Sequence, residues 1–174
     1  MANNNAVIPP QNTDAEASLL GAILIDSDAI VKIADIINPE DFYDPKNGRI
    51  YAAVTQLYEK HSPIDVLTLS DQLKSTGFIE YVGVAGYLTQ LTNFVPTAAH
   101  AEQYASIIAE KSMRRRLIKV SQDTVEIAYN EERPVQELVE EAESKLFEVS
   151  QQHVKQDISS IETILGEIFD RLDE

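Results

Sequence analysis

No cysteine and no tryptophan occur in the chain. Without thiols there can be no disulfide, no thiolate zinc site and no cysteine nucleophile, and the composition fits the cytosol. Cations are scarce as well, with 14 Lys and Arg against 29 Asp and Glu, a net charge of −15 over 174 residues. Neutralising a phosphate backbone needs clustered Lys and Arg, so this balance argues against a duplex-binding surface. Of the six glycines only Gly83 and Gly86 lie close together, and no lysine follows them. The G-x-x-x-x-G-K-S/T loop that cradles nucleotide phosphates is therefore missing. No apolar run approaches the roughly 18 residues of a membrane span, and the N-terminal MANNNAVIPPQ lacks both the basic and the apolar stretch of a secretory signal. His61, His100 and His153 are far apart, and no E-x-x-H pair exists for a metal centre in a helical bundle. Asp26/Asp28 and Asp41/Asp44 read as helix starts, where acids favour the dipole, rather than as catalytic carboxylate pairs. No catalytic, cofactor-binding or metal-ligating residue is expected.

What is present is helical pattern. From Thr97 to Gln152 there is no glycine and one proline, Pro134, set where two long helices would meet. Ala98 to Asn130 predicts the first helix, with Thr97 as its N-cap. Beyond the break, Val135, Leu138, Val139, Ala142, Leu146 and Val149 recur at i, i+3, i+4, i+7, i+11 and i+14, one apolar stripe among glutamates. The short Asn130–Pro134 link predicts an antiparallel hairpin with that stripe as its seam.

Upstream, residues 1–11 are expected to form a flexible arm. Thr13 with Glu16 has the spacing of a capping box, placing a helix start at Asp14 with Leu19, Leu20, Ile23 and Leu24 as its buried face. A second helix, capped by Asp26 or Ser27, carries Ile30, Val31, Ile33, Ala34 and Ile37 mostly inward and stops at Asn38–Pro39. Phe42 and Tyr43 suit core plugs. Asp44–Pro45 opens a third helix with Ile50, Tyr51, Val54, Leu57 and Tyr58 at helical spacing. Ile64 to Leu67 could be a short strand, but Thr68 and Asp71 favour a fourth helix to Lys74, closed by Gly77. Tyr87, Leu88 and Leu91 suggest a fifth. After the hairpin, a polar link leads to a capping box at Ser159 and Glu162, then to a one-sided helix bearing Ile161, Ile164, Leu165, Ile168, Phe169 and Leu172. That stripe must be covered by its own head or by another domain or subunit. The expected fold is all-α: a compact five-helix head at 12–96, a long hairpin at 97–152, and a linker with a separate amphipathic helix at 153–174. The basic run Lys111, Arg114, Arg115, Arg116 and Lys119 could meet nucleic acid or an acidic partner. A solvated face pairing with Glu140 or Glu141 is preferred, because no interleaved aromatics offer a base-stacking platform.

Several stretches together resemble the N-terminal domain of the bacterial replicative DNA helicase, the DnaB family. They are IPPQNTDAEASLLGAIL (Ile8 to Leu24), PEDFYDPKNGRIYAA (Pro39 to Ala53), PIDVLTLSDQL (Pro63 to Leu73), GYLTQL (Gly86 to Leu91), VPTAAHAEQYA (Val95 to Ala105) and EKSMRRRLI (Glu110 to Ile118). They cover most of the first 120 residues in the family's order; the remainder matches in pattern more than in letters. The resemblance implies an assembly module followed, past this chain's end, by a RecA-like ATPase domain that holds ATP and Mg. It implies pairing through heads and hairpins, with Val135, Leu138, Val139, Ala142, Leu146 and Val149 at the seam, and assembly of a trimer of dimers as a collar over the motor ring. Primase would dock through its C-terminal domain, with contacts carried over to Asp14, Tyr87 and Ile118. The last helix, with Ile161, Ile164, Leu165, Ile168 and Leu172, would dock on a neighbouring motor domain. DNA would be held mainly by the motor domains of the full hexamer, in the bacterial cytoplasm at the nucleoid, with no membrane contact. The alternative is the related helical domain of primase, the other side of the same contact. The missing phosphate loop generates the first prediction: this chain alone should hydrolyse no ATP, and turnover above a buffer blank in a coupled assay would revive an enzymatic reading.

Overall fold

The computed structural model describes residues 8–77, 83–95 and 97–151, and among these the regular structure is helical throughout. The elements are α1 (Thr13–Ile25), α2 (Ala29–Ile33), a 3-10 turn (Pro39–Asp41), α3 (Pro45–Glu59), α4 (Val66–Ser75), α5 (Val84–Phe94), α6 (Ala101–Ala128) and α7, residues 135–151. The chain divides into two compact units, Gln11–Ser112 and Met1–Pro10 with Met113–Glu174. The expected linker helix, with Ile161, Ile164, Leu165, Ile168 and Leu172, lies outside the described residues.

In the first unit, the head, α1 is central. Ala15, Glu16, Ser18, Leu19, Leu20, Gly21, Ala22 and Ile23 are all buried, so the helix is covered nearly all round, not on the single face that its leucines suggest. Its N-cap is Asn12, whose side chain accepts from Ala15 N at 3.0 Å. The Thr13–Glu16 capping box is therefore not formed, since Glu16 is committed elsewhere. Gly21 lets α5 lie directly against α1: a Cβ there would overlap the Leu91 carbonyl oxygen and come within 3.2 Å of Val95 Cγ2. Gly48 allows a close approach of α3 to the Pro39 carbonyl, whose oxygen would stand 2.6 Å from an added Cβ.

The other helices are set by their caps. Asp44 accepts from Lys46 N at 2.8 Å and Pro45 occupies the first turn of α3, as its sequence predicts. Ile50, Tyr51, Val54 and Leu57 are buried beneath it, while Tyr58 is exposed. The Ile64–Leu67 ambiguity resolves as helix. Asp65, not Thr68, is the N-cap of α4: its Oδ1 accepts from Thr68 N at 2.9 Å, and the Thr68 Oγ1 accepts in return from Asp65 N at 3.1 Å. The Thr68 N–H above all holds the Asp65 carboxyl below its ordinary pKa. Gly77 takes a positive φ of 77° just past the end of α4, and Gly83 one of 115° at the start of α5. In α2, Ile30 and Ile33 face the core, but Val31 is exposed. Asp28 precedes that helix without a side-chain cap bond, and Asp26 instead accepts from Asp28 N.

The head does not end at residue 96. Ala101, Ala105, Ile108 and Ser112 are buried at i, i+4, i+7 and i+11, so the first three turns of α6 complete its core. Thr97 caps only a turn, accepting from Ala99 N at 3.2 Å, and the helix proper starts at Ala101. Fully buried Leu19, Leu20, Ile23, Ile30, Ile33, Leu69, Leu88 and Leu91 form the core's interior, each worth about 1.5–3 kcal/mol of apolar burial.

The Gly21 contact is testable. Gly21→Ala should destabilise the head by about 1–3 kcal/mol, because backbone must move to admit a methyl. Gly86→Ala, where an added Cβ meets nothing within 4 Å, should instead raise stability by up to about 1 kcal/mol. Urea midpoints of the two variants that failed to move in opposite directions would refute the proposed α1–α5 closeness.

Candidate partner-docking surfaces

In the head, one surface is built on a buried carboxylate. Glu16 is 2% exposed, and its oxygens accept from Tyr43 N at 2.6 Å, Asp44 N at 3.3 Å and Asn47 Nδ2 at 3.0 Å. Asn47 in turn accepts, through Oδ1, from the Tyr87 hydroxyl at 2.7 Å. The chain Glu16–Asn47–Tyr87 thus ties α1, α3 and α5 together beneath the surface. Tyr87 is half-buried, and its ring carries the Lys46 ammonium 2.9 Å from its centroid. Burial, then the charge of Asp44, pushes the Tyr87 phenol up from its ordinary pKa, against the opposing hydrogen bond with Asn47. Asp14 is exposed in the first turn of α1.

A second buried acid anchors the other end of the 3-10 turn. Asp41, 1% exposed, accepts from Asn38 N at 2.7 Å and from the Ser112 hydroxyl at 2.6 Å, fastening the turn to α6. Nearby, Tyr51 packs its ring 5.2 Å from Phe42, and burial first, then Asp41 and Asp35, raises its pKa. These acids are structural. Among the described residues no cluster of His, Asp or Glu could hold a metal ion.

The second unit differs in kind. From 113 to 151 no residue is buried. Leu117, Ile118, Val125 and Tyr129 of α6 and the turn after it are exposed, as are Val135, Val139, Leu146 and Phe147 of α7. At about 100° per residue, Val135, Val139 and Leu146 fall within about 40° of one another on α7. Leu138, Ala142, Lys145 and Val149 occupy the adjoining face and are half-buried. On α6 the half-buried positions Val120, Asp123, Thr124 and Ile127 repeat at helical spacing. The stripe read as one seam therefore has a covered edge and an open edge, with Val135 as much as 75% exposed.

The polar side of α7 is laced locally. Glu141 pairs with Arg133 at 2.6 Å and with Lys145 at 3.3 Å, and Arg133 reaches Glu137 at 3.7 Å. The bond from Arg133, then that from Lys145, holds the Glu141 carboxyl below its ordinary pKa. Glu141 is thus engaged by its own neighbours in sequence. Of the basic run, Arg115 donates to the Pro10 carbonyl at 2.8 Å, which pins the end of the N-terminal arm, and Arg114 and Arg116 are engaged as well. Sequence reasoning named Asp14, Tyr87 and Ile118 for docking. The first two are found in the head and Ile118, 44% exposed, in the second unit. It missed Lys46, Phe147, Val125 and Tyr129, although an aromatic or valine facing outward on an amphipathic helix leaves a signal in the helical wheel.

The described residues thus comprise an all-α head held by structural acids and a second unit whose apolar side chains are exposed. The chain belongs to the DnaB-like helicase N terminal domain family, whose model matches residues 8–110. It is 36% identical over 98% of its length to the replicative DNA helicase DnaC of Bacillus subtilis, and 36% identical over 95% to the replicative DNA helicase DnaB of Geobacillus stearothermophilus. It spans 37% of the length of each. Among solved structures, the N-terminal domain of DnaB helicase from Mycobacterium tuberculosis matches with a TM-score of 0.77 and 38% identity, covering 82% of this chain and 99% of that one. A DnaB-like replicative helicase, solved in a study of its interactions with primase, matches with a TM-score of 0.66 and 25% identity over 86% of this chain and 35% of that one. Membership of the helicase family sets aside the primase alternative.

The buried carboxylate yields a prediction. Glu16→Gln replaces one of two acceptor oxygens by a donor in a site that presents only donors, and should lower stability by about 1–3 kcal/mol. A thermal melt indistinguishable from that of the parent chain would mean that the three donors do not depend on Glu16.

Proposed function

We propose that this chain is the assembly and primase-docking domain of a hexameric replicative helicase that unwinds duplex DNA with ATP, and that it has no catalysis of its own. The observation that carries the reading is the second unit's exposed apolar surface. Leu117, Ile118, Val125, Val135, Val139, Leu146 and Phe147 stand exposed over two helices without one buried residue between 113 and 151. A monomer gains nothing from such a surface, whereas a partner that covers it contributes about 25 cal/mol per Å² of apolar area.

In this reading the open edge of α7 pairs with a second copy, the dimers assemble as a trimer, and the resulting collar sits over the motor ring. Primase docks at Asp14, Tyr87 and Ile118 through its C-terminal domain, so that tethering raises its local concentration at the fork. The solved DnaB-like helicase and its interactions with primase support this assignment by family. The segment with Ile161, Ile164, Leu165, Ile168 and Leu172 docks on the neighbouring motor domain, which also takes ATP and Mg. With −15 net charge, the domain leaves most DNA contact to the rest of the hexamer, in the cytoplasm at the nucleoid.

Light-scattering mass after size exclusion, with and without the primase C-terminal domain, tests the reading. A dimer or hexamer that gains primase mass is expected; a monomer that ignores primase would refute it. Because Leu146 is 47% exposed, Leu146→Asp should abolish self-association while shifting the melt by no more than about 1 kcal/mol. Loss of several kcal/mol would instead make Leu146 an internal seam residue. Ile118→Asn should weaken primase binding and leave the fold intact.

A further inference from the structure

Lys46 is the second residue of α3, half-buried, and its ammonium rests on the face of the Tyr87 ring. Cation–π attraction accounts for its place there. Among the described residues, however, that ammonium has no carboxylate within ion-pair distance and donates no hydrogen bond. Asp44 is the nearest acid in sequence, but its Oδ1 is occupied by the Lys46 backbone N–H at 2.8 Å in capping α3. Consistent with this, burial lowers the Lys46 pKa and the attraction of Asp44 only partly opposes it. The Tyr87 hydroxyl cannot turn away to relieve the arrangement, because it is tied to Asn47, itself tied to Glu16.

The result is a positive charge partly stripped of water, fixed by a rigid ring and with donor capacity unused. Such a group gains from an anion that reaches it, because a charge-assisted hydrogen bond offsets the lost hydration. We infer that Lys46 is a partner-contact residue of the docking face, and that the group it receives is a carboxylate from an acidic segment of the docking protein. The inference rests on the reading of Tyr87 as part of that face: what approaches Tyr87 meets the cation seated on it. The surrounding chemistry makes the contact selective. In a chain of net charge −15, a cation held in place on a ring gives an acidic segment a favourable point of contact.

Calorimetric titration of the chain with the primase C-terminal domain, at low and at high salt, decides the matter. The parent chain must bind; no binding would remove the docking reading and this inference together. Given binding, Lys46→Met keeps the apolar stem and loses the charge, and should weaken affinity about tenfold and flatten its salt dependence. Lys46→Arg keeps a cation over the ring and should bind within about twofold of the parent. Parental affinity in Lys46→Met would overturn the carboxylate contact while leaving primase docking in place. Equal weakening by both variants with an unchanged salt slope would also overturn it, since Lys46 would then act through shape alone. Thermal melts run in parallel identify any loss of fold, and if Lys46→Met melts early, the salt slope of Lys46→Arg against the parent carries the decision, a flattened slope counting against the contact.

Discussion

The arrangement of the head depends on where the Glu16 carboxylate goes. A carboxylate taken out of water costs several kcal/mol unless its lone pairs are met, and here the backbone of residues 43 and 44 and the side chain of Asn47 meet them. Apolar packing of α1 against α3 would tolerate a slip of one turn, since leucines and isoleucines fit many grooves. The carboxylate does not, because only one register brings two backbone N–H groups and an amide to it. It therefore fixes how the start of α3, set by its own cap, sits against α1, and through Asn47 and Tyr87 it ties α5 to α3. Asp41 plays the same part at the other end of the 3-10 turn, where the Ser112 hydroxyl brings α6 into register.

Those two acids also mark the limit of what could be read from the residues alone. Caps and breaks are local, and they were legible: Asp44–Pro45 opening α3, Gly77 closing α4, Tyr87, Leu88 and Leu91 within α5. Glu16 stands three residues after Thr13, the spacing of a capping box, yet its partners lie 27 to 31 positions away. No local pattern carries that information. A glutamate and a serine within α1 suggest a solvated side, so the burial of that helix on nearly all sides was hidden by the very residues that make it possible. The head's boundary was misjudged for a related reason. Pro96 looks like a domain edge, but α6 begins only at Ala101, and its small residues Ala101, Ala105 and Ser112 let it close on the core.

The placement of the candidate docking residues was legible unevenly. Exposed Ile118 and half-buried Tyr87 follow from motifs shared with the helicase family, which carry position without explaining it. The physical explanation for Tyr87 is that its hydroxyl belongs to the core network while its ring faces Lys46. Substituting it would therefore disturb the fold as well as the proposed docking, whereas Ile118, outside that network, tests the proposed contact more directly. The α7 stripe shows the opposite case. Its period predicts an amphipathic helix, but period alone cannot tell a face covered within the chain from one awaiting a second copy.

The charges of α7 and of the turn before it are placed differently from its apolar residues. Arg133, Glu137, Glu141 and Lys145 satisfy one another at spacings of one and two turns, so the polar side asks nothing of a partner. The apolar residues beside them have no such local remedy. Leu138, Ala142 and Val149 are half-buried, while Val135, Val139 and Leu146 stand exposed among the described residues. Such a surface would aggregate in a neutral chain. In one of net charge −15, mutual repulsion disfavours random contact, and only a partner that buries enough apolar area at one orientation overcomes it. In the proposed assembly, acidic excess and exposed stripe would act together: the charge disfavours unspecific association and leaves the specific one.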